Sequence, residues 1–173
     1  MEKDNHPKAK WEAKVSAKLD KATVDQIWPL FTDFFNFHRW FPTNIEVCYG
    51  VHGANGEPGC IRYWSGSLTS SGNGEADEKP WGKDRLLAVD HAEHILTYEL
   101  LENNIGHKSY VSTVKIFPAD KAHDRDHQHG CVIEWSFSVD PIEGSTLDGM
   151  VAEYNEWIRQ IAEKMEASLE HSE

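Results

Sequence analysis

Between Gly144 and Leu169 large apolar residues recur at steps of three and four: Leu147, Val151, Tyr154, Ile158, Ile161, Met165 and Leu169. Glu153, Glu156, Arg159, Glu163 and Glu166 fall between them, so the segment reads as one long helix with a single apolar stripe. Ser145 followed by Asp148 has the spacing of a capping box, with a carboxylate near the positive helix end. At a rise of about 1.5 Å per residue, such a helix crosses a whole small domain. A stripe of that length needs a partner equally long. No other segment reads as a long helix and most of the rest reads as strand, so the stripe calls for a sheet curved around it.

From Trp11 to Leu19, Trp11, Ala13, Val15, Ala17 and Leu19 alternate with Glu12, Lys14, Ser16 and Lys18, the pattern of a strand with one wet face. Thr23 and Gln26 have capping-box spacing ahead of Ile27, Trp28, Leu30 and Phe31, which predicts a short helix kinked or shortened by Pro29. Phe34, Phe37, Trp40 and Phe41 predict a second short helix ended by Pro42, and aromatics at helical spacing read first as core. Ile45, Val47 and Tyr49 begin a strand, 53–59 has the residues of a hairpin turn, and 60–65 is the returning strand. The stretch 66–77, rich in Ser, Gly and Asn, reads as a mobile loop. Strands resume over 81–89, 94–101, 108–117 and 130–139, and the tight turns at 90–93 and 103–106 pair neighbours antiparallel. In the last strand Cys131, Ile133, Trp135, Phe137 and Val139 face one way, with Glu134, Ser136 and Ser138 opposite.

A chain of 173 residues supports one sizeable core, and seven Trp with seven Phe supply its apolar bulk. We expect a flexible polar tail over 1–10 and a single ligand-binding domain over 11–170. The formal net charge of −12 opposes binding to nucleic acid or an anionic membrane. A small apolar molecule is the better partner, and the sequence names no protein partner. No run approaches the ~20 apolar residues of a membrane span. The start MEKDNHPKAK has no hydrophobic leader, and Cys48, Cys60 and Cys131 form no CxxC pair. We therefore expect free thiols and a cytoplasmic location with nuclear access open. Hydrolase, nucleotide-dependent and metalloenzyme readings rank low, because the chain has no nucleophile elbow, phosphate-binding glycine loop or zinc spacing. His123, Asp124, Asp126, His127 and His129 lack rigid spacing and read as a solvated hairpin loop rather than a metal site.

One strand, two short helices, six strands and a long helix make an α+β domain: a seven-stranded curved antiparallel sheet around the C-terminal helix. The helix stripe is narrower than the concave face, so the space between need not fill completely. This element order is similar to the helix-grip fold of the START and birch-pollen-allergen superfamily, which includes polyketide cyclase-like proteins. The resemblance implies an internal cavity for sterols, hormones, flavonoids, lipids or polyketide intermediates, with catalysis in only some members. Inward-facing charges are then the candidates for function. Arg62 shares a face with Cys60 and Trp64, and Asp84, flanked by Lys83 and Arg85, turns inward with Leu86. Tyr110 opens a strand whose Val114 and Ile116 lie on its side. Trp64, Leu86, Tyr98, Trp135, Phe137, Tyr154, Trp157 and Ile158 are the expected ligand-binding residues. Asn36 and His38 either face the cavity mouth or serve as caps and surface groups.

The segments Gly-Cys-Ile-Arg-Tyr (59–63), Trp-Gly-Lys-Asp-Arg-Leu-Leu-Ala-Val-Asp (81–90), the Tyr110 strand and Glu-Trp-Ser-Phe (134–137) resemble plant lachrymatory factor synthases and their relatives. That family lines its cavity with an arginine, a glutamate and a tyrosine, which fall here on Arg62, Asp84 and Tyr110; the carboxylate of this chain is one methylene shorter. The resemblance implies isomerisation of an alkenyl sulfenic acid to a thial S-oxide by proton transfer, with no metal or organic cofactor. Arg62 would hold the sulfenate oxygen, Asp84 move the proton and Tyr110 orient the substrate. The alternative is a non-catalytic carrier in which Arg62 pairs with Asp84 or with a ligand carboxylate. A hormone receptor of the abscisic-acid type is disfavoured, because Ser65-Gly66-Ser67-Leu68 and Asn103-Asn104-Ile105-Gly106-His107 depart from its gate and latch motifs.

Overall fold

Strand β1 (Trp11–Leu19) alternates as its sequence dictates, with Val15 and Leu19 buried and the lysines and glutamate between them exposed. It pairs antiparallel with β7 (Cys131–Val139), where Cys131, Ile133, Trp135, Phe137 and Val139 all point into the core. The computed structural model describes residues 9–41, 44–67, 79–119 and 130–170. Between β1 and β7 lie β2 (Asn44–His52), β3 (Ile61–Ser67), β4 (Trp81–Asp90), β5 (Ile95–Asn103) and β6 (Val111–Pro118). The sheet has seven antiparallel strands in the order β1-β7-β6-β5-β4-β3-β2. Because β1 and β2 are its opposite edges, the chain must cross the whole sheet between them. Helix α1 (Val24–Thr32) and the 3₁₀ helix Phe34–Trp40 make that crossing and close one end of the concave face.

Each crossing element has a local cause. Thr23 accepts from the Gln26 amide and Gln26 reaches back to the Thr23 amide, the expected capping box. Pro29 sits inside α1 without ending it, at the cost of one backbone bond. The 3₁₀ helix is fastened to the β2–β3 hairpin: Asn55 accepts from the Phe35 amide at 2.8 Å and donates to Asp33 at 2.7 Å. Gly50 lets this contact form, since a Cβ there would meet the Phe35 ring at 2.3 Å.

Helix α2 (Leu147–Glu170) buries Met150, Tyr154, Ile158, Ile161, Ala162 and Met165. It packs chiefly on β1 and only lightly on β7 and the 3₁₀ helix. The concave face over the middle strands is thus roofed but not filled. The start of α2 differs from expectation: Thr146, not Ser145, is the cap, its Oγ1 accepting from the Gly149 amide at 3.0 Å. Two strand starts also differ. His94 and Ser109 adopt left-handed backbone, with φ of 57° and 54°, so the ladders begin at Ile95 and Val111. Gly66 and Ser67, expected in the loop, belong to β3; the rest of that stretch, 68–77, and the His123–His129 run lie outside the described residues. Among the described residues, no helix is long and apolar enough to cross a membrane.

Candidate functional site

Arg62 is the second residue of β3, and the sheet register sets it directly opposite Asp84 on β4. Both are buried, 8% and 5% exposed, and Arg62 Nε donates to Asp84 Oδ2 at 2.9 Å. Nη1 donates to the Phe34 carbonyl at 2.9 Å, so the 3₁₀ helix clamps the cation from above. The guanidinium carbon lies 3.8 Å from the Phe34 ring centroid and 5.3 Å from that of Tyr98, a favourable position for a desolvated cation. Among the described residues, these bonds use two of the five guanidinium donors. Trp64, two residues on, shares the strand face of Arg62 and lines the cavity with Asp84. Its ring fits because β4 has glycine opposite it: a Cβ on Gly82 would meet Trp64 at 2.5 Å.

The pair is electrostatically tense. Burial pushes the Asp84 carboxyl above its ordinary value, against the pull of Arg62. Burial also works against the Arg62 charge, but the Asp84 carboxylate beside it holds the guanidinium above its ordinary value. The cation therefore persists, and the carboxyl is a better base than an exposed aspartate.

Tyr110 enters the concave face just ahead of β6, and its hydroxyl lies 2.6 Å from that of Tyr154 on α2. Burial raises both phenols well above their usual value, so each keeps its proton. One hydroxyl donates to the other, and either can be the donor. Ser112, buried between Tyr110 and Val114, is the hub behind them: it donates to the Ser136 carbonyl and accepts from the Trp135 indole at 2.5 Å. Tyr98 lies opposite Ser112 in the β5–β6 ladder.

These groups face one cavity of about 110 Å³ between the sheet, α2 and the 3₁₀ helix. Arg62, Asp84 and Tyr110 line it together, with Trp64, Tyr98, Trp135, Tyr154 and Trp157 from the expected set. Leu86 and Phe137 are buried outside its lining, and Ile158 faces a smaller hollow behind it. Phe37 and Phe41, read as core from sequence, line it, as do Cys48 and Ile45. A bulge between Ile45 and Val47 explains that last pair, turning Val47 and Tyr49 out to solvent and Cys48 in. Cys48 donates to the Phe35 carbonyl, and burial keeps it a thiol.

Leu100, Ile105 and two histidines, one absent from the expected ligand contacts and one left open there, also line the cavity. His38 faces the cavity, with Nδ1 buried and unbonded among the described residues, while Asn36 is exposed and donates to the Asp33 carboxylate. His107 stacks on Tyr110, ring centroids 5.7 Å apart, in the turn organised by Asn103. Burial lowers both imidazoles, aided at His38 by Arg39 and Arg62. No spacing in the sequence marked His107, because a turn residue's direction depends on Asn103 capping its amide. Ser112 had a signal, its period-two place between Tyr110 and Val114. Among the described residues, no group of three or more His, Cys, Asp or Glu is arranged to hold a metal.

A curved sheet gripping a long helix over an aromatic-lined cavity, with one buried ion pair in its wall, defines a helix-grip protein. Residues 10–170 match the family described as polyketide cyclase / dehydrase and lipid transport, and the chain belongs to it. Solved structures share the fold at low identity. The protein XoxI from Bacillus cereus is 17% identical with a TM-score of 0.64, covering 92% of this chain and 98% of its own. A protein from Nitrosospira multiformis is 21% identical at TM-score 0.64, covering 89% and 95%. Ginseng major latex-like protein 151 from Panax ginseng is 17% identical at 0.63, covering 91% and 97%.

Proposed function

We propose that this protein binds a small, mostly apolar molecule with one acidic oxygen, placing the oxygen at Arg62 and the carbon skeleton against Trp64, Trp135 and Trp157. The observation that carries this reading is the buried guanidinium, paired with Asp84, in the wall of a mainly aromatic and aliphatic cavity. Size supports a short guest: the cavity of about 110 Å³ is comparable to the roughly 150 Å³ that accommodates a benzene-sized molecule. A sterol exceeds that space. The test is a titration with short-chain carboxylates, followed by tryptophan fluorescence. Saturable quenching is expected, weakened on the order of tenfold to a hundredfold when Arg62→Met is combined with Asp84→Leu. Quenching that is absent, or equal in the two proteins, overturns the reading.

A second reading, proton-transfer isomerisation of the lachrymatory factor synthase type, draws support from the raised Asp84 carboxyl beside Arg62. In it the proton leaves the sulfenic O–H and returns to the alkenyl carbon through Asp84, while Arg62 holds the oxygen and Tyr110 orients the guest. The shorter Asp side chain withdraws the base by about 1.5 Å relative to Glu, on the scale of a C–C bond. Freshly generated alkenyl sulfenic acid should give thial S-oxide above the uncatalysed level, and Asp84→Asn should abolish the excess. Product unaffected by that substitution leaves the protein a binder.

A further inference from the structure

Behind the main cavity lies a second hollow of about 20 Å³, bounded on its far side by Phe31, Leu96, Val114, Ile158 and Ile161. Phe37, Arg62, Tyr98 and Trp135 face both spaces and are therefore the wall between them. Its far lining is wholly apolar, which keeps such a void dry and leaves its surfaces short of contacts. Two wall members are tied by side-chain hydrogen bonds, Arg62 to Asp84 and Phe34 and Trp135 to Ser112, and Tyr98 is held inside β5, opposite Ser112 in the ladder. Phe37 has no polar atom and rides on a seven-residue 3₁₀ helix, an element with poorer hydrogen-bond geometry than an α-helix. It rests on Phe31 at a centroid distance of 5.1 Å. Phe37 is thus the wall member that can yield without breaking a buried polar bond.

We propose that the inner hollow is an apolar subsite for the alkyl end of the guest, and that Phe37 closes it and so sets the length of chain accepted. The inference rests on the reading of the main cavity as the binding site. A guest held by its oxygen at Arg62 starts beside the wall, and a longer tail has its nearest unfilled apolar space beyond Phe37.

The test is isothermal titration with straight-chain carboxylates from butyrate to decanoate, on the wild type, Phe37→Ala and Phe37→Ala with Val114→Ile. Wild-type affinity should rise about fourfold per methylene and then stop at a cut-off length. In Phe37→Ala the rise should continue through the next homologues, and Val114→Ile, which fills the inner hollow, should restore the earlier cut-off. The same cut-off in wild type and Phe37→Ala, or an extension that Val114→Ile does not reverse, overturns the inference while the binding site stands. A wild type that binds no member of the series overturns the proposed function and the subsite together. Thermal unfolding checks each variant, and Phe37→Leu, with a smaller extension expected, carries the test if Phe37→Ala is unfolded.

Discussion

Arg62 and Asp84 were legible in the sequence because their neighbours decide their direction: Lys83 and Arg85 must reach water, which turns Asp84 inward. A buried ion pair is nevertheless a poor source of stability, since desolvating two charges offsets most of their attraction. Removing one partner is the costly change. Arg62→Met should lose about 3–5 kcal/mol of unfolding free energy by urea titration, and adding Asp84→Leu should recover most of it. Equal instability of single and double variants would mean that the two charges do not act as a pair. His107 allows a pH prediction. Burial lowers its pKa below 6.5, so the unfolded chain takes up a proton there before the folded one does. Its contribution to stability is complete above 6.5 and is lost as pH falls from there through the folded value. His107→Gln should flatten the fall in urea midpoint over that window; an unchanged slope would assign the acid sensitivity elsewhere. Cys48 shows the limit of residue-level reading, because a single bulge reversed the face that alternation alone assigns to it.

Among the elements, those whose side-chain period matches their burial were read closely: β1, β7 and α2 follow their alternation or stripe almost residue for residue. The errors sit at their ends, where one backbone angle decides. Ser109 in the left-handed region delays the start of β6 from the expected 108 to Val111 and leaves Tyr110 ahead of the ladder, a choice the sequence does not advertise. At α2, Ser145 and Thr146 are both good caps by type, and only the Gly149 amide bond distinguishes them. Thr146→Ala should therefore cost about 1 kcal/mol by chemical denaturation. Ser145→Ala should fall within the error of the measurement, and the reverse ranking would place the cap one residue earlier.

The whole molecule owes its cavity to an offset. α2 leans on β1 at one edge of the sheet, and the 3₁₀ helix covers the β2 edge because the crossing from β1 ends there. Neither fills the concave space above β3, β4 and β5, so Arg62 and Asp84 open on a hollow rather than on packed side chains. Element order in the sequence implied that hollow; its volume did not follow from order, because it depends on how far the aromatic rings of Phe37, Trp64 and Trp157 reach inward. The most direct test is a crystal structure of the protein with a short-chain carboxylate. It should place a carboxylate oxygen within hydrogen-bond distance of the Arg62 guanidinium and the chain against Trp64 and Trp157. A cavity without the ligand at saturating concentration, or a carboxylate bound away from Arg62, would contradict the account.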